Sequence, residues 1–220
     1  MKKVLSTLLL ITLITQIANA LEVTTTVPNT LEPKGLIIIA PAKKYLMHER
    51  LFEQLTNQLT EKKYVVVRFD WSSDTFTVPS LEKEKASQDL NYIVSRAQAL
   101  FNMPPSKTIL ISKSFSTKII SDHLERAKLH ILLTPNCSTK EPFALNYKNT
   151  LDRAKNWKIV ISLEDPYCQV DQIIQEISSR QRLDDLFLTH GNHNFETIVE
   201  NEIIHPFQDL VIKKILSWVD

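Results

Sequence analysis

After its first twenty residues, the chain alternates short apolar runs with longer amphipathic stretches. The apolar runs are largely continuous rather than alternating, as in GLIIIA (35–40) and at the start of YVVVRFDW (64–71). Four more follow at 107–113, 130–134, 158–163 and 185–190. Continuous runs of this length, rich in β-branched residues, are typical of strands that are buried on both faces. The pattern therefore predicts about six strands of a mostly parallel sheet.

The stretches between these runs carry apolar residues at helical spacing, such as Leu51, Leu55 and Leu59. We expect helices over 48–62, 81–101, 116–128, 144–155, 169–181 and 201–220, with Pro206 interrupting the first turn of the last one. Helices that alternate with parallel strands cover both faces of the sheet. The predicted fold class is α/β: a three-layer α/β/α sandwich with a doubly wound sheet, forming one domain over 21–220.

The first twenty residues have a pattern of their own. A basic MKK head precedes the apolar run VLSTLLLITLIT, and QIANA ends in the small-x-small sequence Ala-Asn-Ala. This is the organisation of a secretory signal peptide. We expect residues 1–20 to be removed and the protein to be exported from a bacterial cell, either to the periplasm or beyond it. An uncleaved anchor is the alternative, and no later apolar run is long enough to span a bilayer.

Export changes how the two cysteines are interpreted, because cysteines usually pair in an oxidising compartment. Cys137 and Cys168 each follow an apolar run, HILLT and KIVISL. If these two strands are neighbours in the sheet, both thiols lie beyond the same edge. We therefore predict a disulfide between Cys137 and Cys168, with two free thiols as the alternative.

The net charge and the glycine content give two further expectations, one about binding partners and one about backbone conformation. The net charge is +1 and the chain has no basic stripe, so we expect no nucleic-acid partner. Only two glycines occur, Gly35 and Gly191. Each is expected at a position where the backbone requires glycine.

Candidate chemistry lies at the carboxyl ends of the predicted strands, where parallel sheets bind their ligands. Ser114 follows the third strand, and Asp165 follows the fifth. The sixth strand ends at His190, and His193 comes three residues later. A serine, an acid and a histidine thus occur in this order, each at a strand end.

This order resembles that of the α/β-hydrolase family, in particular its lidless members similar to dienelactone hydrolase. The segment ISKSFSTKII resembles the nucleophile elbow, LEDPYC resembles the segment with the acid, and LTHGNHNF resembles the segment with the catalytic histidine. The resemblance covers most of the chain after residue 20. It implies a serine hydrolase that cleaves a small carboxylic ester or thioester and needs no cofactor. Since 135–157 has room for only one helix, we expect an open site.

The resemblance also implies a role for each residue. Ser114 is the predicted nucleophile, His193 the general base and Asp165 the carboxylate that orients the imidazole. The competing residues are Ser112 and Ser116 for the nucleophile, Glu164 and Asp171 for the acid, and His190 for the base.

An oxyanion hole needs two backbone N–H groups that point at the developing charge. The resemblance implies one from the residue after the nucleophile, here Phe115, and one from the loop after the first strand. Pro41 has no N–H, so Ala42 is the predicted second donor, with Lys43 as the alternative.

The chain departs from the family pattern at two places. The elbow G-x-S-x-G is replaced by Ser112-Lys113-Ser114-Phe115-Ser116, which lacks both glycines. Ala40-Pro41 stands where the family often has His-Gly. These departures support a second hypothesis, in which the protein is a catalytically inactive member of the fold that serves as a secreted binding or interaction module.

Two further features point to no firm site. His190 and His193 have the spacing of a metal-ligand pair, but no third ligand occurs at a matching spacing, so no metal site is predicted. Lys43, Lys44 and Lys113 fall near the predicted site. They favour an anionic substrate there or, as is usual for lysines, are simply solvated.

Overall fold

The structure, a computed structural model, describes residues 21–43, 47–137, 143–154 and 156–220. The predicted signal peptide and Lys44 lie outside these residues. In the part of the chain that is described, no helix is both long enough and apolar enough to cross a membrane.

The fold is built on a seven-stranded sheet with the strand order β1-β3-β2-β4-β5-β6-β7. Six of its strands are the predicted ones, and all six are parallel to their neighbours among them. The seventh, β1, was not predicted; it pairs antiparallel with β3 at the edge of the sheet. The strands are β1 Val23–Thr26, β2 Gly35–Ala40, β3 Tyr64–Phe69, β4 Thr108–Lys113, β5 Leu129–Leu133, β6 Trp157–Ser162 and β7 Leu186–Thr189.

Helices cover both faces of this sheet, which confirms the predicted three-layer α/β/α fold. On one face, α1 and α6 pack over Ile37, Val66 and Ile109. On the other face, α2, α4 and α5 pack over Leu36, Val65 and Leu110. The helices are α1 Arg50–Glu61, α2 Glu82–Leu100, α3 Ser116–Ile119, α4 Phe143–Arg153, α5 Val170–Ser179 and α6 Pro206–Val219.

The predicted helix over 116–128 is wrong beyond its first turn. Only α3, Ser116–Ile119, is α-helical, and two 3-10 turns follow at Ile120–Asp122 and Leu124–Arg126. His123 interrupts the helix because its backbone is not helical (φ −131°, ψ 25°) and its buried ring is hydrogen-bonded to the Ser87 hydroxyl at 3.1 Å. Tertiary contacts here override local helix propensity.

The predicted helix over 201–220 starts later than expected. It begins at Pro206, whose missing N–H is harmless at the first helical position. The preceding residues form a hairpin of β8 Thr197–Val199 and β9 Glu202–Ile204. Its two turn residues, Glu200 and Asn201, both have positive φ, as a type I′ turn requires.

The strand order places a crevice between β2 and β4. The chain leaves β2 through α1 and returns as β3 on one side, then crosses through α2 to β4 on the other side. Connections that depart in opposite directions leave a gap at the carboxyl ends of the two strands, and ligands bind there in open α/β sheets. Ala40 ends β2 and is paired with Ser112 of β4, so Ala42 and Ser114 both follow this switch point.

Candidate active site

Ser114 lies in a strand-turn-helix elbow between β4 and α3. Its φ is +54°, in the left-handed region that non-glycine residues rarely adopt. The turn is held by its neighbours: the Ser114 N–H donates to the Leu133 carbonyl at 2.9 Å, and the Thr117 N–H donates to the Ser114 carbonyl at 3.1 Å. A backbone strained at this point is characteristic of the nucleophile elbow. The fold forms the elbow without its usual glycines.

Ser116 explains how the elbow closes without glycine at that position. Its hydroxyl oxygen accepts from the Lys113 N–H at 2.8 Å and lies 2.9 Å from the Ala40 carbonyl, to which it donates. The side chain therefore fills the space between β4 and β2 and satisfies polar backbone groups on both strands. Ser112 is buried as well, with its hydroxyl 3.4 Å from the Ile131 carbonyl. Of the three serines, only Ser114 is partly exposed.

Asp165 and His193 meet across the ends of β6 and β7. His193 Nδ1 lies 2.8 Å from Asp165 Oδ2, and the Asp165 side chain is 0% exposed. The other carboxylate oxygen, Oδ1, accepts from the Tyr167 N–H at 2.8 Å. The Tyr167 ring packs edge-on against the imidazole, with centroids 4.9 Å apart. The carboxylate is thus fixed by a backbone donor, and it fixes in turn one nitrogen of the ring.

The competing acid and base form a separate pair. His190 Nδ1 lies 2.7 Å from Glu164 Oε1, and the two side chains are 65% and 54% exposed. His190 thus lies at the surface, away from Asp165. The hydrogen bond with His190 holds the pKa of the Glu164 carboxyl below its ordinary value, and the Gly191 N–H adds to this effect. Asp171, the third candidate acid, is exposed in the first turn of α5.

The two histidines of the His-x-x-His spacing thus point to different carboxylates. Within the described ranges, no group of three His, Cys, Asp or Glu side chains could hold a metal ion. Between them lies Gly191 with φ +100°, where an added Cβ would come within 2.9 Å of the Glu196 carbonyl oxygen. Glycine is required here because the loop that carries His193 turns back sharply on itself.

One contact of the predicted triad is missing. Among the hydrogen bonds of the described residues, none joins the Ser114 hydroxyl to the His193 ring, whereas the His193–Asp165 bond is formed. Catalytic hydrogen bonds are often long in the absence of substrate and shorten in the complex. The structure therefore brings together the predicted base and the predicted acid, but it does not bring the predicted nucleophile into hydrogen-bond contact with the predicted base.

The predicted oxyanion donors lie on either side of the crevice. The backbone N–H groups of Ala42 and Phe115 donate to no other described residue. The Ala42 carbonyl accepts from the Trp71 indole N–H at 2.7 Å, which anchors the loop after β2. Lys43, the alternative donor, forms an ion pair with Glu82 through its side chain.

An aromatic cluster lies beside Ser114, formed by Trp71, Phe76 and Phe115. The ring centroids are 5.4 Å apart for Phe76 and Phe115 and 6.0 Å apart for Trp71 and Phe115, all edge-on. The Lys43 ammonium lies 5.4 Å from the Phe76 centroid. Trp71 is buried, whereas Phe76 and Phe115 are half-exposed. The cluster gives one side of the crevice an apolar wall.

Lys113 does not behave as a solvated rim residue. Its side chain is 0% exposed, and its ammonium binds Asn194 Oδ1 at 2.6 Å and Glu49 Oε1 at 3.3 Å. Neither Glu49 nor Asn194 was identified from the sequence. Glu49 precedes an amphipathic helix with several exposed polar residues, and Asn194 lies in a polar loop, so neither position carries a distinguishing pattern.

Cys137 and Cys168 form a disulfide that links the loops after β5 and β6. The Cys137 N–H also donates to the Tyr167 carbonyl at 3.2 Å. Since the Tyr167 N–H in turn donates to Asp165, the disulfide stabilises the segment that carries Asp165.

Reduction of this disulfide is expected to lower the free energy of unfolding by about 3–4 kcal/mol, since it releases a loop with a sequence separation of 31 residues. Urea unfolding with and without dithiothreitol measures the difference. The control is the Cys137→Ala, Cys168→Ala double variant, whose unfolding midpoint should not respond to dithiothreitol. A wild-type midpoint that is equally unresponsive would contradict the prediction.

Among known proteins, the chain is similar in structure to solved proteins that share its fold. Neither a family model nor a curated protein sequence matches the chain. An α/β serine hydrolase homologue from Coxiella burnetii superposes with a TM-score of 0.67 at 16% identity, over 92% of this chain and 93% of that one. An α/β serine hydrolase without a lid from Xanthomonas campestris gives 0.63 at 14% identity, over 90% and 88%.

A third similar structure is Est1E from Butyrivibrio proteoclasticus, with a TM-score of 0.66 at 13% identity over 93% of this chain and 95% of that one. At these identities the likeness shows the fold. The chain has the α/β-hydrolase fold, as its sequence predicted.

Proposed function

We propose that this chain, which has the α/β-hydrolase fold, is a serine hydrolase that cleaves a carboxylic ester or thioester. Ser114 attacks the carbonyl carbon, and His193 accepts the hydroxyl proton. The acyl group is transferred to Ser114 Oγ while His193 returns the proton to the leaving alcohol or thiol. Water then attacks the acyl-enzyme with His193 again as the base, which releases the acid and restores the serine.

The observation that carries the proposal is the buried Asp165–His193 pair, which lies at the same sheet edge as a serine with φ +54°. A carboxylate bound to Nδ1 leaves Nε2 unprotonated, so that this nitrogen can accept a proton. The N–H groups of Phe115 and Ala42, which donate to no other described residue, are the proposed oxyanion donors. The aromatic cluster of Trp71, Phe76 and Phe115 offers an apolar surface for the non-reacting part of the substrate.

A second candidate function follows from the missing contact between Ser114 and His193. In that case the protein is an inactive member of the fold, and the crevice binds a ligand without turning it over. The positive φ of Ser114 and the buried Asp165–His193 pair favour the hydrolase.

A fluorophosphonate probe separates the two functions, because it reacts only with a serine that is activated by its neighbours. We propose that the protein is exported, so protein from periplasmic and culture fractions is the material to use, with a mature N-terminus expected at Leu21. We expect stoichiometric labelling, with the adduct on the peptide that contains Ser114 and none on heat-denatured protein. Folded protein that stays unlabelled would support the inactive candidate instead.

A further inference from the structure

Lys113 belongs to the same face of the sheet as α1 and α6. Side chains alternate along a strand, and Ile109 and Ile111 both pack in the core under these two helices. Lys113, two residues further along β4, therefore points to the same side. Its neighbour Ser112 points to the opposite face. The lysine at the end of β4 is thus directed under the loop that carries His193.

The ammonium of Lys113 is buried, and its hydrogen bonds explain how burial is tolerated. An isolated buried ammonium is costly, so it needs a charged or strongly polar partner. Glu49 supplies a carboxylate that is itself only 12% exposed, and Asn194 supplies an amide oxygen at 2.6 Å. The second Glu49 oxygen, Oε2, is buried without a hydrogen-bond partner among the described residues. This buried ion pair of Lys113 and Glu49 lies directly next to Ser114.

The two ends of this contact are the immediate neighbours of the proposed nucleophile and base. Lys113 precedes Ser114, and Asn194 follows His193. The backbone carbonyl of Asn194 also accepts from the Gln208 side chain of α6 at 3.0 Å, and Gln208 is 0% exposed. Asn194 therefore connects the loop that carries His193 to α6 through Gln208 and to the elbow through Lys113.

We propose that Lys113 is a positioning residue, whose ammonium couples the elbow of Ser114 to the loop of His193 through Asn194, with Glu49 as its counter-ion. The proposal rests on the proposed function as far as catalysis is concerned. Proton transfer from Ser114 to His193 requires the two side chains within hydrogen-bond reach. The Lys113–Asn194 contact, which we name the bridge, limits how far the two segments can separate.

Two sets of variants test the bridge. Asn194→Ala removes one end and leaves the Lys113–Glu49 ion pair, and Lys113→Met combined with Glu49→Gln removes both charges together, so that no buried carboxylate is left unpaired. Because a misplacement of about 1 Å can cost about 100-fold in rate, we expect kcat for ester hydrolysis to fall by about 10- to 100-fold, with KM within about twofold of wild type. A triple variant that combines Asn194→Ala with Lys113→Met and Glu49→Gln should have a kcat no lower than that of the Lys113→Met, Glu49→Gln pair, since the effects of coupled residues are not additive.

Lys158→Met is the matched control. Lys158 is also a strand lysine with an acidic partner, Asp185, but it lies near the start of β6, at the opposite end of the sheet from the site. Asp185 keeps its second partner, Arg182, in this variant. We expect a lower melting temperature and an unchanged kcat. A kcat that stays at the wild-type value in Asn194→Ala, or effects that multiply in the triple variant, would overturn the bridge.

Hydrogen exchange tests the bridge independently of activity. In the Lys113→Met, Glu49→Gln variant, amides of 191–196 should exchange at least about tenfold faster than in wild type, since the loop loses its hydrogen bond to the elbow segment. Lys158→Met should leave these amides unchanged. Unaltered exchange in the bridge variant would refute the proposal. If the wild-type protein hydrolyses no ester but the loop loosens as expected, the proposed function fails and the bridge stands.

Discussion

Ser114→Ala is expected to lower kcat for p-nitrophenyl ester hydrolysis by about five to six orders of magnitude, to the level that binding and the oxyanion donors alone sustain. The hydroxyl is the only group removed. The backbone contacts that hold the elbow, from the Ser114 N–H to Leu133 and from Thr117 to the Ser114 carbonyl, do not involve the side chain. The free energy of unfolding should therefore change by less than about 0.5 kcal/mol.

Ser112→Ala is the matched comparison for this variant. Ser112 lies two residues earlier in the same segment, but it is 1% exposed, and among the described residues its hydroxyl hydrogen-bonds to the Ile131 carbonyl alone. Its replacement should leave kcat within about threefold of wild type, as expected for a residue that does not touch the substrate. Circular dichroism and urea unfolding of both variants establish that the fold is intact. If Ser114→Ala retained the wild-type rate, Ser114 could not be the nucleophile.

The sheet and its layers could be predicted from the sequence because their signal is local. A run such as Leu36–Ile39 is apolar on both faces, and only a strand between two helical layers buries both faces. The antiparallel strand β1 was missed because VTTT carries a mixed pattern, and its four residues are only half-buried at the sheet edge. An edge strand is determined by its partner rather than by its own hydrophobicity.

The acid–base pair could also be anticipated, since Asp165 and His193 each follow a strand end in a fixed order. The structure adds what separates this pair from its competitor. Asp165 is buried and receives a backbone donor from Tyr167, whereas Glu164 and His190 are both largely exposed. Two adjacent acids look alike in a sequence. Their burial is decided by the turn after β6, where one side chain is buried against His193 and the other points to solvent.

The elbow shows why the loss of glycine was hard to interpret from the sequence. Glycines in this motif indicate that the backbones of helix and strand approach closely. In this chain Ser116 occupies such a position without preventing the close approach. Its hydroxyl bonds to both strands that it approaches. The same limit applies to Lys113: lysines are mostly exposed, so a sequence gives no reason to expect a buried one, and its partners Glu49 and Asn194 are 64 and 81 residues away along the chain.

The acid–base pair gives the second large effect. Asp165→Asn is expected to lower kcat by about 10⁴-fold, as the equivalent change does in a serine protease with a Ser-His-Asp triad. The asparagine can still accept from the Tyr167 N–H through its amide oxygen, so that its NH₂ group faces His193 Nδ1. Nδ1 must then accept a hydrogen bond instead of donating one. The imidazole proton moves to Nε2, and the nitrogen that should take the Ser114 proton is already protonated.

Glu164→Gln is the comparison that makes this result specific. It changes the neighbouring residue in the same way, but the carboxylate it removes serves the exposed His190 and the Gly191 N–H. We expect kcat within about threefold of wild type, since an exposed pair of this kind contributes at most about 1 kcal/mol. Steady-state kinetics on both variants, with fluorophosphonate labelling rates as a second readout, distinguish the two carboxylates. Equal losses in both variants would mean that the effect is not specific to Asp165, and the assignment of Asp165 as the carboxylate that orients His193 would be wrong.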